Sequence, residues 1–170
     1  ALEMARIGWF AETTYFGKKC GLLDQTVSAF GGLVGIDFSD VANPIIEKID
    51  YDFSQSGYTL CITDTKSSHE DLTDDYVAIR EEMEAIAAFF GKKVLSQVDE
   101  AKFYESISEL RQKTTDRAVM RAAHFFDETR RAKEEAESLK NGDFDTFLKL
   151  VNESGDSSAL LLQNLYSTKQ

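Results

Sequence analysis

The sequence predicts an α+β fold: a short mixed or antiparallel sheet followed by several packed helices. Three runs of β-branched and aromatic residues lie between positions 33 and 63, separated by Gly, Ser, Asn and the single proline. Beyond residue 73 the apolar positions change to spacings of three and four and keep them almost to the end. Strands first and helices after is the order of an α+β chain, whereas a repeating βαβ unit would alternate the two.

Taken in order, residues 1–15 read as an amphipathic helix with Leu2, Ala5 and Trp9 on one side, ending near Tyr15-Phe16-Gly17. The pattern opens without an initiator Met, and the expectation is a fragment of a longer protein. A loop through Lys18 and Lys19 delivers Gly21 and Asp24 to a short helix over 24–30, which stops at Gly31-Gly32. Residues 33–38 read as a strand, and 39–43 turn the chain ahead of Pro44. From 49 to 53 the order Ile-Asp-Tyr-Asp-Phe alternates strictly, and Tyr58-Thr59-Leu60-Cys61-Ile62-Thr63 is the strongest strand signal in the chain.

Five helices are expected after that. Thr73-Asp74-Asp75 open the first, striped by Tyr76, Ile79, Met83, Ile86 and Phe90 and closed by Gly91. The second covers 100–112 with Phe103, Ile107 and Leu110, and the third 115–140 with Val119, Ala122, Ala123, Phe126 and Leu139. Asp143 caps a fourth, whose Phe144, Phe147, Leu148 and Val151 point inward, and a fifth runs over 157–166. No Pro/Gly/Ser-rich linker marks a domain boundary, and a soft one is placed between about 38 and 56.

A chain of 170 residues with 42% hydrophobic content can bury a core. Its 30 acidic and 19 basic residues leave a formal net charge of −11, and no basic cluster exceeds a pair. Such a balance gives no footprint for nucleic acid or for an anionic membrane surface. The two cysteines, Cys20 and Cys61, and the two histidines, His69 and His124, show no zinc-ligand spacing. A reduced, cytoplasmic, soluble protein is the expectation, with no metal site in this stretch and no signal peptide or 18-residue apolar run.

Chemistry is concentrated around Asp24. A carboxylate in the first turn of a helix is kept ionised by unpaired backbone N–H groups and the helix dipole, and an ionised carboxylate can accept a proton from a hydroxyl. A plain helix cap uses the same residue in the same place. Cys20 has no base beside it in sequence and reads as a small buried thiol.

Cys20-Gly21-Leu22-Leu23-Asp24-Gln25 followed by Ser28-Ala29-Phe30-Gly31 resembles the pattern Cys-Gly-Ile-Met-Asp-Gln, then Ser-Ala-x-Gly, of galactokinases in the GHMP sugar-kinase superfamily. Downstream, Asp74-Asp75-Tyr76-Val77-Ala78-Ile79-Arg80 resembles the family segment Ser-Ser-Glu-Tyr-x-x-Arg-Arg. Arg121-Ala122-Ala123-His124-Phe125-Phe126-Asp127-Glu128-Thr129-Arg130-Arg131 resembles its helix Arg-Ala-x-His-Val-Val-x-Glu-x-x-Arg, and Asn152-Glu153-Ser154-Gly155-Asp156-Ser157 its Asn-Glu-Ser-His-x-Ser. The departures are Thr13 for Asn, Lys19 for Pro, Asp74 for Ser, Glu81 for Arg and Gly155 for His.

The resemblance implies a GHMP-kinase-like fold, with residues 1–45 ending the N-terminal substrate and ATP domain and 46–170 forming an incomplete, mostly helical C-terminal domain. It implies an enzyme that phosphorylates the 1-hydroxyl of galactose with ATP and Mg²⁺. Asp24 is then the catalytic base, and Gly21 and Tyr76 contact the sugar. No Gly-x-x-x-x-Gly-Lys-Ser/Thr or similar phosphate loop occurs, so no nucleotide-binding or metal residue is assigned here. Two other readings share the resemblance, a sugar sensor without turnover and a GHMP kinase for another substrate such as N-acetylgalactosamine, and a helical interaction module is the third class. His124 reads as a satisfied core histidine.

Overall fold

The computed structural model, which describes residues 1–18, 20–64, 66 and 73–166, starts with helix α1 (Leu2–Phe10) widening into a π-turn (Ala11–Tyr15). Gly17, at φ 62°, then turns the chain back toward the start of α2 (Leu23–Phe30). The two helices pack side by side. A Cβ placed on Gly8 would lie 3.5 Å from Gln25 Cγ, so the stem of Gln25 rests directly on α1.

Gly31 and Gly32, at φ 66° and 69°, lead out of α2 in a conformation that a side chain would strain. They feed an antiparallel hairpin of β1 (Leu33–Asp37) and β2 (Ile45–Ile49), in which Leu33 faces Ile49 and Asp37 faces Ile45. Lys140 reaches Glu47 of β2 at 2.9 Å and joins the hairpin to the helical half.

Two strand expectations need correction. The second strand is 45–49 and not 49–53: it begins right after Pro44 and ends where β1 runs out of partner. Beyond it Asp52 accepts from the Ser54 N–H and starts a single 3₁₀ turn (Phe53–Gln55). The alternation of Tyr51 and Phe53 serves ring packing instead: Tyr51 stacks on Phe144 at 5.6 Å, and Phe53 meets Phe144 and Phe147 edge-on. Residues 58–63 form no strand at all, and Leu60 and Ile62 are 93% and 94% exposed. A strand exists only through hydrogen bonds to a neighbour, and the sheet among the described residues is β1 with β2.

The helical half follows the expected spacing closely. It comprises α3 (Thr73–Phe89), a 3₁₀ turn (Leu95–Gln97), α4 (Glu100–Glu105), α5 (Ile107–Lys113), α6 (Asp116–Lys140) and α7 (Phe144–Ser157). Gly91 and Gly142 close α3 and α6 at φ 68° and 72°, while Asp99, Thr115 and Asp143 cap α4, α6 and α7 with side-chain oxygens. The helix expected over 100–112 breaks at Ser106, whose N–H is shared between the Lys102 and Phe103 carbonyls. The helix expected over 157–166 is absent as a separate element. α7 instead passes into a π-turn (Ser158–Leu162) that stops at Gln163, which is left-handed at φ 55°.

Ile86, Ala87, Leu95, Val98, Phe103, Leu110, Ala118, Val119, Ala122 and Phe126 make one core between α3, the 95–97 turn, α4, α5 and α6. Phe103 is fully buried and its ring meets Phe126 at 5.1 Å. Among the described residues no helix is long and apolar enough to cross a membrane. Truncating a fully buried Phe typically costs about 3–5 kcal/mol. Phe103→Ala is therefore expected to lower the unfolding free energy by that amount in urea titration, and Tyr104→Ala, on the half-exposed neighbour, by much less.

Candidate active site

The loop that presents Asp24 is tied down from both sides. The Trp9 indole N–H donates to the Cys20 carbonyl at 3.1 Å, and the Lys18 backbone N–H donates to the Glu12 carbonyl at 3.1 Å across the π-turn. Leu22 is buried, and its carbonyl accepts both the N–H of Thr26 at 3.1 Å and its hydroxyl at 2.7 Å. Thr26 is fully buried, so the first turn of α2 is anchored from inside.

The Glu12 carboxylate is the hub of this region. Its Oε1 accepts from Gln25 Nε2 at 2.9 Å and its Oε2 from Lys18 Nζ at 2.8 Å, with the Cys20 thiol 3.9 Å from Oε2. The Lys18 hydrogen bond, and then that of Gln25, holds the Glu12 carboxyl below the usual carboxylate range. Lys18 is held above the ordinary ammonium range, mainly by Glu12 and to a smaller degree by the field of Asp24.

Leu22, not Asp24, occupies the cap position, and Asp24 is the second residue of α2. Its carboxylate is exposed and, among the described residues, hydrogen-bonds to no side chain. It is thus not consumed by capping and is free to meet a ligand. Gly21 is exposed as well, and a Cβ there would meet nothing within 4 Å, so packing among the described residues does not demand glycine.

Tyr76 lies in the first turns of α3 with 59% exposure. The structure does not gather the three predicted residues into one hollow: α2 packs on α1 and β1, whereas α3 packs on α6 and the 95–97 turn. Neither of two surface clefts includes them. One, of about 330 Å³, is lined by Phe30, Gly31, Gly32, Leu33, Lys48, Ile49 and Asp50, and the other by Glu3, Arg6, Ile7 and Phe10.

Among the described residues no group of three or more His, Cys, Asp or Glu is arranged to hold a metal ion. Both Cys20 and Cys61 are free thiols.

Two polar networks escaped the sequence reading. In one, Glu12 and Gln25 are thirteen positions apart, which no periodicity links. In the other, Glu82 of α3 accepts from Arg117 Nε and Arg121 Nη1, both at 2.9 Å, while Arg121 Nε donates to the Leu162 carbonyl at 2.9 Å. Beside it His124, buried as expected, has Nδ1 2.9 Å from Ser157 Oγ.

No protein-family model matches the chain. Sequence comparison nevertheless places it with sugar kinases, and with their helix-rich α+β, GHMP-kinase-like fold. In particular, it is a homologue of the galactokinases. It is 35% identical over 160 residues to the galactokinase of Glaesserella parasuis serovar 5, 34% over 155 to that of Actinobacillus pleuropneumoniae and 30% over 168 to that of Thermotoga petrophila. These matches cover 91%, 91% and 97% of this chain but 39%, 39% and 43% of the relatives. The chain thus spans about two-fifths of the length of the galactokinases it matches.

Burial, and then the nearby Arg131, pushes the His124 pKa down, against a smaller opposing effect of Asp127. A base whose folded pKa is depressed contributes stability above its unfolded value of 6.5, and that contribution is lost as pH falls through the folded value. The chain is expected to unfold at lower urea at pH 5.5 than at pH 7.5, and His124→Asn to flatten that difference, both read by circular dichroism.

Proposed function

We propose that the chain is the portion of a galactokinase-type sugar kinase that carries the catalytic carboxylate, in an intact enzyme that transfers the γ-phosphoryl of ATP to the 1-hydroxyl of galactose. The observation that carries this reading is the placement of Asp24: the motif Cys20-Gly21-Leu22-Leu23-Asp24-Gln25 sets it in the first turn of α2, exposed and unpaired among the described residues, within a homologue of galactokinases.

Phosphoryl transfer leaves the protein mainly positioning and electrostatic work. Asp24 takes the proton of the attacking hydroxyl, or orients that oxygen for in-line displacement, from its place in the first turn of α2. Gly21 lets the backbone approach the sugar where any side chain would stand in the way. Tyr76 closes another side with an amphipathic ring that offers a hydroxyl for hydrogen bonding. ATP would supply the phosphoryl group and Mg²⁺, when bound with it, would neutralise its charge.

Residues 1–45 are the end of the N-terminal domain in this scheme and 46–170 an incomplete C-terminal one. α1 packs on α2 and α3 on α6, while the β1–β2 hairpin runs across the boundary at 45/46 and both of its strands touch α6. Tyr76 and Asp24 then face one sugar from two domains, which accounts for their separation within this chain.

In the intact protein Asp24→Asn is expected to lower kcat by about 10²- to 10⁴-fold, roughly 3–5 kcal/mol of barrier, with galactose binding nearly unchanged. Steady-state phosphorylation and sugar titration measure the two quantities, and undiminished turnover removes Asp24 from the chemistry. The 170 residues alone are expected to form no sugar phosphate from ATP and galactose, which a coupled ADP-release assay checks.

A further inference from the structure

Asn141 and Gly142 lie in the turn between α6 and α7, and both are exposed. Of the chain's four asparagines only Asn141 is followed by glycine; Asn43 precedes Pro44, while Asn152 and Asn164 precede Glu153 and Leu165. The backbone nitrogen after an asparagine is a nucleophile within reach of the side-chain amide carbon. A proline nitrogen has no proton to lose, and a side chain on the following residue crowds the approach that glycine leaves open.

The folded turn keeps that nitrogen from reacting. The Gly142 N–H donates to the Leu139 carbonyl at 3.0 Å, flanked by the Asn141 N–H on the Glu137 carbonyl at 3.0 Å and the Asp143 N–H on the Ser138 carbonyl at 2.8 Å. Ser138 and Leu139 are buried, so these acceptors are anchored in the packed part of α6. Asn141 is helical at ψ 0° and Gly142 left-handed at φ 72°, the usual glycine closure of a helix. Bringing the Gly142 nitrogen onto Asn141 Cγ turns the peptide between them and breaks the bonds to Leu139 and Ser138. Asp143 ties the far side, because its carboxylate accepts from the Thr146 N–H at 3.0 Å and from the Thr146 hydroxyl at 2.7 Å.

We propose that Asn141 is a deamidation site gated by this turn, closed while its hydrogen bonds hold and reactive once the end of α6 opens. The deprotonated Gly142 nitrogen bonds to Asn141 Cγ, and the side-chain nitrogen leaves as ammonia, taking up the proton that Gly142 lost. Water then opens the cyclic imide at either carbonyl, giving aspartate or isoaspartate. The product sets a new carboxylate at the C-terminal end of α6, where the helix dipole opposes it. It also stands next to Lys140, whose Nζ already serves Glu137 at 2.7 Å and Glu47 of β2 at 2.9 Å. Isoaspartate lengthens the backbone by a methylene as well, so a turn that has reacted does not close again in the same form. Neither the site nor its chemistry depends on the role of Asp24.

The test incubates the 170-residue chain, folded and in guanidinium chloride, at one mildly alkaline pH. The tryptic peptide that starts at Asn141 is followed by mass and by isoaspartate-specific methylation. In the unfolded chain Asn141 is expected to react ahead of Asn152 and Asn164. In the folded chain it is expected to react at least about 10-fold more slowly than in the unfolded one, the factor that a local opening free energy of about 1.4 kcal/mol gives. Asp143→Ala removes the cap of α7 and is expected to speed the folded reaction by about 5-fold, with helix content checked by circular dichroism. Asn141→Gln, whose longer side chain closes a ring far less readily, is expected to leave the peptide unmodified. The proposal is overturned if Asn141 reacts as fast folded as unfolded, if it stays an amide in the unfolded chain while Asn152 or Asn164 reacts, or if folded Asp143→Ala reacts no faster than the parent chain.

Discussion

The buried guanidinium of Arg121 is the constraint around which the helical half is assembled. Its side chain is 4% exposed, and an unpaired charge at that depth would cost several kcal/mol. Glu82 on α3 and the Leu162 carbonyl at the end of the last π-turn supply the partners. The pairing fixes two elements on α6 at once, α3 from one side and the end of α7 from the other. Hydrophobic contact alone would hold α3 near α6; the charge pair sets its register. His124 lies one helical turn further along α6, where its Nδ1 meets the Ser157 hydroxyl at the end of α7.

The N-terminal part is organised by a different kind of contact. α1 buries little, with Ala5 as its one buried side chain, while Met4, Ile7 and Phe10 stay exposed. Directional bonds from Trp9, Glu12 and Thr26, rather than apolar area, determine the path of the loop before α2. A loop held by few but specific hydrogen bonds keeps the Asp24 carboxylate in place while leaving it exposed.

The helices after residue 73 were legible because their stripes and caps are local: Thr115, Asp143, Gly91 and Gly142 each act within one turn. The strands were less so. The run 58–63 has every residue-level mark of a strand, yet pairing is a property of two segments and one was read alone. At 49–53 the period of two correctly grouped Ile49, Tyr51 and Phe53, but the rings of α7, not another strand, took that face. Within the site, the motif around Asp24 was visible as a string of residue types. The bond between Glu12 and Gln25 was not, since it exists only after α1 and α2 have packed.

The open stretch around Leu60 and Ile62 carries a consequence for how these molecules behave together. Six uncharged, β-prone residues without a neighbouring strand among the described residues are a template on which a second chain can lay its own backbone. Mutual repulsion from a net charge of −11 opposes that encounter. Salt screens that repulsion but leaves the apolar surface unchanged, so the balance between the two shifts with ionic strength.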